Sequence, residues 1–353
     1  MKTKIKNCKI IHIETMVPSK IVNNKDLDFD EKLKKKIIKN TGVEQRYVLD
    51  ENQSFLEMYT QIGLNTLETL NWEKDSIDGV IVVTQTQEYK LPATSCILQG
   101  ALGLSNESFA YDISMGCSGY IYGLYTAMSN IAASNGDIKR VLLFVGDAIS
   151  TIVNPKNKSN VFLFGDAVSC TAIEYDINAC ETPFILKTDG REFENIIIED
   201  SGLKNKISCD SFEDYIDEEG NVNSKNCLKM DGAKVFNFTV DNVPNIVEET
   251  LTYIKMNKEE ISNYCFHQAN KFMINFLSTK IGVNDKTPIN IEKFGNTSCT
   301  SIPLILTEIK SSTKNNMLVG FGVGMSMGTC IVDLEKTTFN HSIYKEQKNE
   351  KSN

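Results

Sequence analysis

The apolar positions of the chain fall into two alternating patterns, short β-branched runs and longer stretches at helical spacing. Lys4–Ile13 reads as an opening strand and Lys32–Asn40 as a short basic helix ended by Thr41-Gly42. Ser54 is placed to cap the next helix, with Glu57 completing a capping box, and Phe55, Met58, Tyr59 and Ile62 then share one face. Val80–Val83 is a continuous β-branched run, the pattern of a strand buried on both sides. A helix is expected over Ser95–Leu102, a strand at Phe109–Ile113, a helix from Cys117 to about Ala133, and a buried strand at Val141–Val145.

The second half repeats the alternation. Val235–Lys255 has helical spacing, with Pro244 placed to bend or divide it. Tyr264–Phe266 reads as a strand, Lys271–Ile281 and Ser301–Lys310 as helices, and Met317–Phe321 and Cys330–Leu334 as strands. Helices and buried strands in alternation predict an α/β protein with mostly parallel strands. The chain divides into two similar halves, 1–175 and 176–340, with 341–353 as a polar tail. Ser211–Gly220 is acidic and reads as a surface insertion, while Asn340–Asn353 is expected to fray.

Bulk properties narrow the function classes. A chain of 353 residues, 41% hydrophobic and 24% charged, has the balance of an ordinary globular protein and needs no disulfide or metal to build a core. A formal net charge of -9 argues against nucleic acid, since nothing offsets phosphate repulsion. The ten cysteines include no CxxC pair and are spread through apolar segments, as reduced, mostly buried packing residues would be. Met1–Lys9 is basic, but His12 and Glu14 interrupt the apolar stretch Ile10–Val17, so neither a signal peptide nor a membrane span is expected. The expected location is cytoplasmic.

Four segments could carry chemistry. In Ser114-Met115-Gly116-Cys117-Ser118-Gly119, small residues flank a cysteine that leaves a strand and opens a helix. A helix N-terminus stabilises a thiolate there, which would make Cys117 a nucleophile; the plainer reading is a buried cysteine in a tight turn. His267, in Phe266-His267-Gln268-Ala269-Asn270, sits at a strand end, where active sites of open α/β sheets gather. Asn296, in Gly295-Asn296-Thr297-Ser298, could be a cap or a hydrogen-bond donor. The glycines of Gly320-Phe321-Gly322-Val323-Gly324 let backbone N–H groups approach a ligand, in a spacing unlike a dinucleotide fingerprint. No HExxH or paired CxxC suggests a metal.

Taken in order, these segments resemble those of β-ketoacyl-[acyl-carrier-protein] synthase III of the thiolase superfamily, over residues 5–335. Asn40-Thr41-Gly42-Val43 with Arg46, Leu91-Pro92-Ala93-Thr94, Phe164-Gly165-Asp166-Ala167 and Met230-Asp231-Gly232-Ala233-Lys234 resemble it as well. The resemblance implies a duplicated thiolase-like fold in five layers (αβαβα), as a homodimer. It implies that Cys117 takes an acyl group from coenzyme A or from acyl carrier protein. His267 and Asn296 would then stabilise the enolate formed as malonyl-acyl carrier protein loses carbon dioxide, for fatty acid or specialised acyl-chain synthesis. The backbone N–H groups of Cys117 and Val323 would form an oxyanion hole, with Gly322 and Gly324 against the substrate. No cofactor is implied beyond the phosphopantetheine or coenzyme A that carries substrate.

Some positions depart from the family pattern. The Trp and Arg of its Trp-Ile-x-x-Arg-Thr-Gly segment are Lys36 and Asn40. That Trp stacks on coenzyme A adenine, so its loss favours a carrier-protein-bound donor. An Arg usual after His-Gln-Ala-Asn is Phe272, beside Lys271, and a Trp near the end is Met327. Lys36, Lys271 and Arg46 are the candidates for substrate and carrier binding, the lysine-rich helix being equally readable as a solvated face. These departures point to a specialised paralogue. Two other readings stay open: acyl transfer from Cys117 to an amine or hydroxyl, and a non-catalytic carrier-binding subunit.

Overall fold

The computed structural model describes residues 1–346. The opening run is two strands, β1 (Lys2–Ile5) and β2 (Cys8–Val17). Asn7 between them adopts a left-handed φ of 62°, and the turn sends the two strands into different sheets. β3 (Lys20–Asn23) pairs with β4 (Gln45–Val48) around α1 (Glu31–Thr41), where Asp30 accepts from the Lys32 and Leu33 N–H groups. Ser54 caps α2 (Phe55–Leu70), but Glu57 does not complete a capping box. Glu88 instead accepts from the Leu56 N–H and the Ser54 hydroxyl, while Glu57 accepts from the Tyr344 hydroxyl.

β5 (Gly79–Val83), α3 (Thr94–Leu102), β6 (Phe109–Ile113), α4 (Gly119–Ala133) and β7 (Arg140–Asp147) then alternate. β5 runs parallel to both β6 and β7, because each connection passes through a helix. β8 (Ala167–Tyr175) lies antiparallel between β7 and β2. After β9 (Thr182–Thr188), the short β10 (Ile196–Ile197) and β13 (Lys229–Met230) pair with each other, as do β11 (Tyr215–Ile216) and β12 (Val222–Asn223). The acidic insertion is therefore pinned. Asn154 donates to Asp214 at 2.8 Å and Asn223 to Asp217 at 2.7 Å.

α5 (Gly232–Ile254) is continuous through Pro244. Proline cannot donate to the Val240 carbonyl four residues back, and Lys280 Nζ supplies the missing donor at 2.8 Å. Then come β14 (Asn263–Phe266), α6 (Lys271–Ile281), the single turn α7 (Ile291–Phe294), α8 (Ser301–Ile309), β15 (Asn316–Gly322), β16 (Ser326–Val332) and β17 (Thr338–Ile343). Asn340–Ile343, expected to fray, pair in parallel with β2, and Tyr344 is buried behind them. Residues 347–353 of the expected tail lie outside the described residues.

The strands form a six-stranded sheet, β17-β2-β8-β7-β5-β6, and a five-stranded sheet, β1-β9-β16-β15-β14. Both are mixed: three of the five pairs are parallel in the first sheet, as expected, but only β14–β15 is parallel among the four pairs of the second. Direct connections such as the turn from β15 to β16 can only make antiparallel neighbours. One hydrophobic cluster joins the inner faces of both sheets through α4 (Tyr120, Ile121, Leu124) and α8 (Ile302, Ile305, Leu306). A second seats α2 and α3 outside the first sheet, and a third seats α5 and α6 outside the second. The layers are thus helix, sheet, helix, sheet, helix. Truncating a fully buried inner residue such as Leu124 to Ala would cost about 2–5 kcal/mol. All ten cysteines are free thiols. Five of them are buried and Cys117 and Cys227 half-buried, while Cys96, Cys180 and Cys209 are exposed.

Candidate active site

Cys117 lies on the turn from β6 to α4, which closes with the Gly119 N–H donating to the Gly116 carbonyl at 2.6 Å. The thiol therefore sits at the positive end of α4. Burial and then the charge of Asp147 push its pKa up to about 12, while the Ser298 hydroxyl and the backbone of Val323 pull it down. The resting group is a thiol. Gly322, at φ 150°, closes over it; a Cβ there would lie 2.7 Å from the Cys117 Cβ and 3.0 Å from its Sγ. Val323, the next residue, lines the same cavity wall.

His267 follows the last residue of β14, its N–H donating to the Val319 carbonyl of β15 at 2.8 Å. The ring packs edge-on against Phe321, centroids 5.4 Å apart. Nδ1 lies 2.7 Å from the Ser301 hydroxyl, and that oxygen already accepts from the Gln268 N–H at 3.3 Å. A Ser301 hydroxyl that donates to Nδ1 leaves the proton of the neutral ring on Nε2. Burial lowers the pKa to about 3, opposed by the Ser298 backbone, and the imidazole stays neutral near neutrality.

Asn296 follows α7 and Gly295, and its backbone forms an isolated parallel bridge with Phe164. Its N–H donates to the Leu163 carbonyl at 2.8 Å and its carbonyl accepts from the Gly165 N–H at 3.1 Å. The side-chain oxygen accepts from the Ser298 N–H at 3.0 Å. The amide nitrogen has only a 3.5 Å contact with the Ala269 carbonyl, leaving it free to donate to a ligand.

Cys117, His267, Asn296, Gly322 and Val323 line one cavity of about 310 Å³. Its remaining wall is largely aliphatic, from Ile149, Ile152, Leu163, Ile197, Leu228 and Met230. Gly324 is not on the wall but ends the turn that sets Val323. Arg46, read as a substrate contact, is not on the wall either. It is buried, donating from Nε to Asn24 at 2.9 Å and from Nη1 to the Phe164 carbonyl at 3.0 Å, and thus braces the segment that bridges to Asn296. Burial lowers its pKa to about 10, against the attraction of Asp166.

Lys36 and Lys271 are exposed and also off the cavity wall. They belong to adjoining helices, since Gly42 after α1 packs on Lys271; a Cβ at 42 would lie 2.5 Å from the Lys271 Cβ. Among the described residues neither ammonium makes an ion pair. Phe272 is exposed and stacks on Phe236 at 5.6 Å. Asp147, Ser298 and Ser301 escaped the sequence reading. An Asp that directly ends an apolar strand was the available signal for the first, whereas the serines looked like ordinary helix-start residues.

Two mixed sheets around a shared helical layer, with Cys, His and Asn on one cavity, give the chain the thiolase-superfamily architecture. The sequence profile of 3-oxoacyl-[acyl-carrier-protein] synthase III matches residues 111–190, and that of its C-terminal part residues 251–334. A Campylobacter jejuni protein, named provisionally as a 3-oxoacyl-[acyl-carrier-protein] synthase 3, is 32% identical over 99% of this chain and 100% of its own. The β-ketoacyl-[acyl-carrier-protein] synthase III of Lactococcus lactis is 30% identical over 92% of this chain and 99% of its own. The crystal structure of a Burkholderia xenovorans 3-oxoacyl-(acyl-carrier protein) synthase superposes with a TM-score of 0.89 at 36% identity, covering 97% and 99% of the two chains. The chain belongs to the 3-oxoacyl-[acyl-carrier-protein] synthase III family and is an enzyme of that type. Among the described residues no helix is long and apolar enough to cross a membrane.

Proposed function

We propose that the protein condenses an acyl thioester with malonyl-acyl carrier protein, losing carbon dioxide, through an acyl group held on Cys117. The observation that carries this reading is the convergence of Cys117, His267 and Asn296 on one largely aliphatic cavity. Cys117 attacks the donor carbonyl and expels its thiol. The N–H groups of Cys117 and Val323 receive the oxyanion as it forms. The malonyl thioester then enters, and its carbonyl oxygen accepts from His267 Nε2 and the Asn296 amide. Both donors are neutral, so they stabilise an enolate without protonating it. Decarboxylation itself generates the carbanion, which attacks acyl-Cys117 and releases the 3-oxoacyl thioester. No metal or redox group is needed for these steps.

The donor we favour is an acyl group on a carrier protein. Lys36 supplies no aromatic face for an adenine, and it stands with Lys271 on adjoining helices as an unpaired basic surface suited to an acidic carrier. Intact-protein mass spectrometry with a panel of acyl-coenzyme A and acyl-carrier thioesters, then malonyl-carrier protein, tests the reading. An adduct on Cys117 discharged with carbon dioxide supports condensation. An adduct that ignores malonyl-carrier protein would point to acyl transfer, and activity retained by Cys117→Ala would sink both.

A further inference from the structure

The turn that closes over Cys117 is fastened back to the residue beside that cysteine. β15 and β16 pair as far as Gly322 opposite Ser326, which leaves Val323, Gly324 and Met325 as the connection. Met325 is held by two backbone bonds with Asp189, at 2.8 and 3.2 Å. Val323 is held differently. Its carbonyl accepts from the Ser326 hydroxyl at 2.7 Å, and the Ser326 oxygen lies 2.7 Å from the Ser118 hydroxyl.

The last member of this chain fixes its direction. A carbonyl can only accept, so Ser326 spends its proton on Val323 and Ser118 donates the bond between the two serines. Both serines are buried. Ser118 stands at the N-cap of α4, where a serine ordinarily accepts from the free N–H groups of its own helix. Its hydroxyl makes no such bond and turns to β16 instead. The backbone there is also confined, since a Cβ on Gly320 would lie 2.9 Å from the Ser118 Cα.

We infer that Ser118 and Ser326 are positioning residues for the oxyanion site, holding the Val323 N–H toward the thioester carbonyl that Cys117 attacks. This rests on the reading of Cys117 as the nucleophile, with the Cys117 and Val323 N–H groups as the oxyanion donors. The need for such a hold comes from the glycines. Gly322 and Gly324, at φ of 150° and 132°, flank Val323, and their wide conformational range leaves its two peptide groups free to turn. Tied through two buried hydroxyls, the Val323 carbonyl cannot turn without breaking a bond that leads to the neighbour of the nucleophile. Charge developing on the thioester oxygen then meets a donor already aimed at it. Neither serine is on the cavity wall, so both act through Val323.

The test compares two reactions of Cys117, each followed by mass on the peptide that carries it. Acylation by acetyl and octanoyl thioesters of N-acetylcysteamine develops an oxyanion, whereas alkylation by iodoacetamide displaces iodide and develops none. Ser326→Ala breaks both bonds and should slow acylation at saturating thioester by about tenfold, and Ser118→Ala by about threefold. The half-saturating concentration and the alkylation rate should not change, and the double variant should be no slower than Ser326→Ala. Equal slowing of acylation and alkylation would show that the serines merely hold the cysteine's own turn, and would overturn the inference. Should Ser326→Ala not fold, Ser118→Ala, which leaves the Val323 carbonyl bonded, decides by the same comparison. A wild-type Cys117 that neither these thioesters nor those of coenzyme A and carrier protein acylate refutes the nucleophile reading itself. Normal wild-type acylation with unaffected variants removes the positioning role alone.

Discussion

The Ser301 hydroxyl lies 2.7 Å from His267 Nδ1 and also accepts the Gln268 N–H; by donating to Nδ1 it would hold the imidazole proton on Nε2. Ser301→Ala frees the ring to adopt the other tautomer, which cannot donate to a thioester oxygen. The expected loss is about five- to tenfold in kcat for malonyl-carrier decarboxylation, the worth of one net hydrogen bond. KM should be unchanged, and Ser301→Thr should restore the rate. A parallel fall in thermal stability with no change in kcat would show that the hydroxyl is merely structural.

Gly322 leaves no room for a side chain above the nucleophile, since a Cβ there would lie 2.7 Å from the Cys117 Cβ. Gly322→Ala must displace the thiol or the turn that presents the Val323 N–H. Acylation of Cys117, read by intact mass, should slow by about a hundredfold or more, the usual cost of displacing a reacting group by an ångström. Acylation at the wild-type rate would mean that the turn moves instead of the thiol.

Lys280 completes α5 where Pro244 cannot. Lys280→Met should lower stability to urea by about 1 kcal/mol, the net value of a hydrogen bond. Pro244→Ala restores the backbone donor to the Val240 carbonyl, so the double variant should recover most of that loss. Additive losses would refute the compensation.

Buried His267 makes stability depend on pH. Its pKa in the folded protein is about 3, against 6.5 when unfolded, so between those values the unfolded chain binds a proton the folded one does not. Stability from this group therefore rises with pH across that window and is lost on acidification, at up to about 1.4 kcal/mol per unit. Asp166, raised by burial from 3.8 to about 6, acts in the opposite sense between those values, because there the folded state holds the extra proton. Relative to wild type, His267→Gln should gain stability as pH falls below 6.5. Urea unfolding of both proteins at several pH values checks it; parallel curves would show that the ring is solvated in the folded state.

Much of the site was legible in the sequence because its residues lie at element ends with strong local signals. Phe109–Ile113 and Lys271–Ile281 match their strand and helix to the residue. Cys117 and His267 each stand just past the end of a strand, and Asn296 follows the single turn α7 amid small and polar neighbours. Arg46 was misread because an arginine near a ligand motif looks like an anion contact, and only its burial against Asn24 and the Phe164 carbonyl makes it a brace. Asp147 reads as an ordinary strand end in the sequence, and only the fold brings Cys299, from the other half of the chain, against its carboxyl.

The sequence alone determined most of the long helices, several central strands and the identity of the reactive side chains, because helical spacing, β-branched runs and turn residues act over a few neighbours. Tertiary structure alone decided strand direction, the docking of β17 on β2, the partner of the His267 ring and the surroundings of the Cys117 thiol. Each of these depends on groups far apart along the chain, as when Thr15 meets His341 across 326 positions. Packing selects such pairs through hydrogen bonds and burial that no local pattern records.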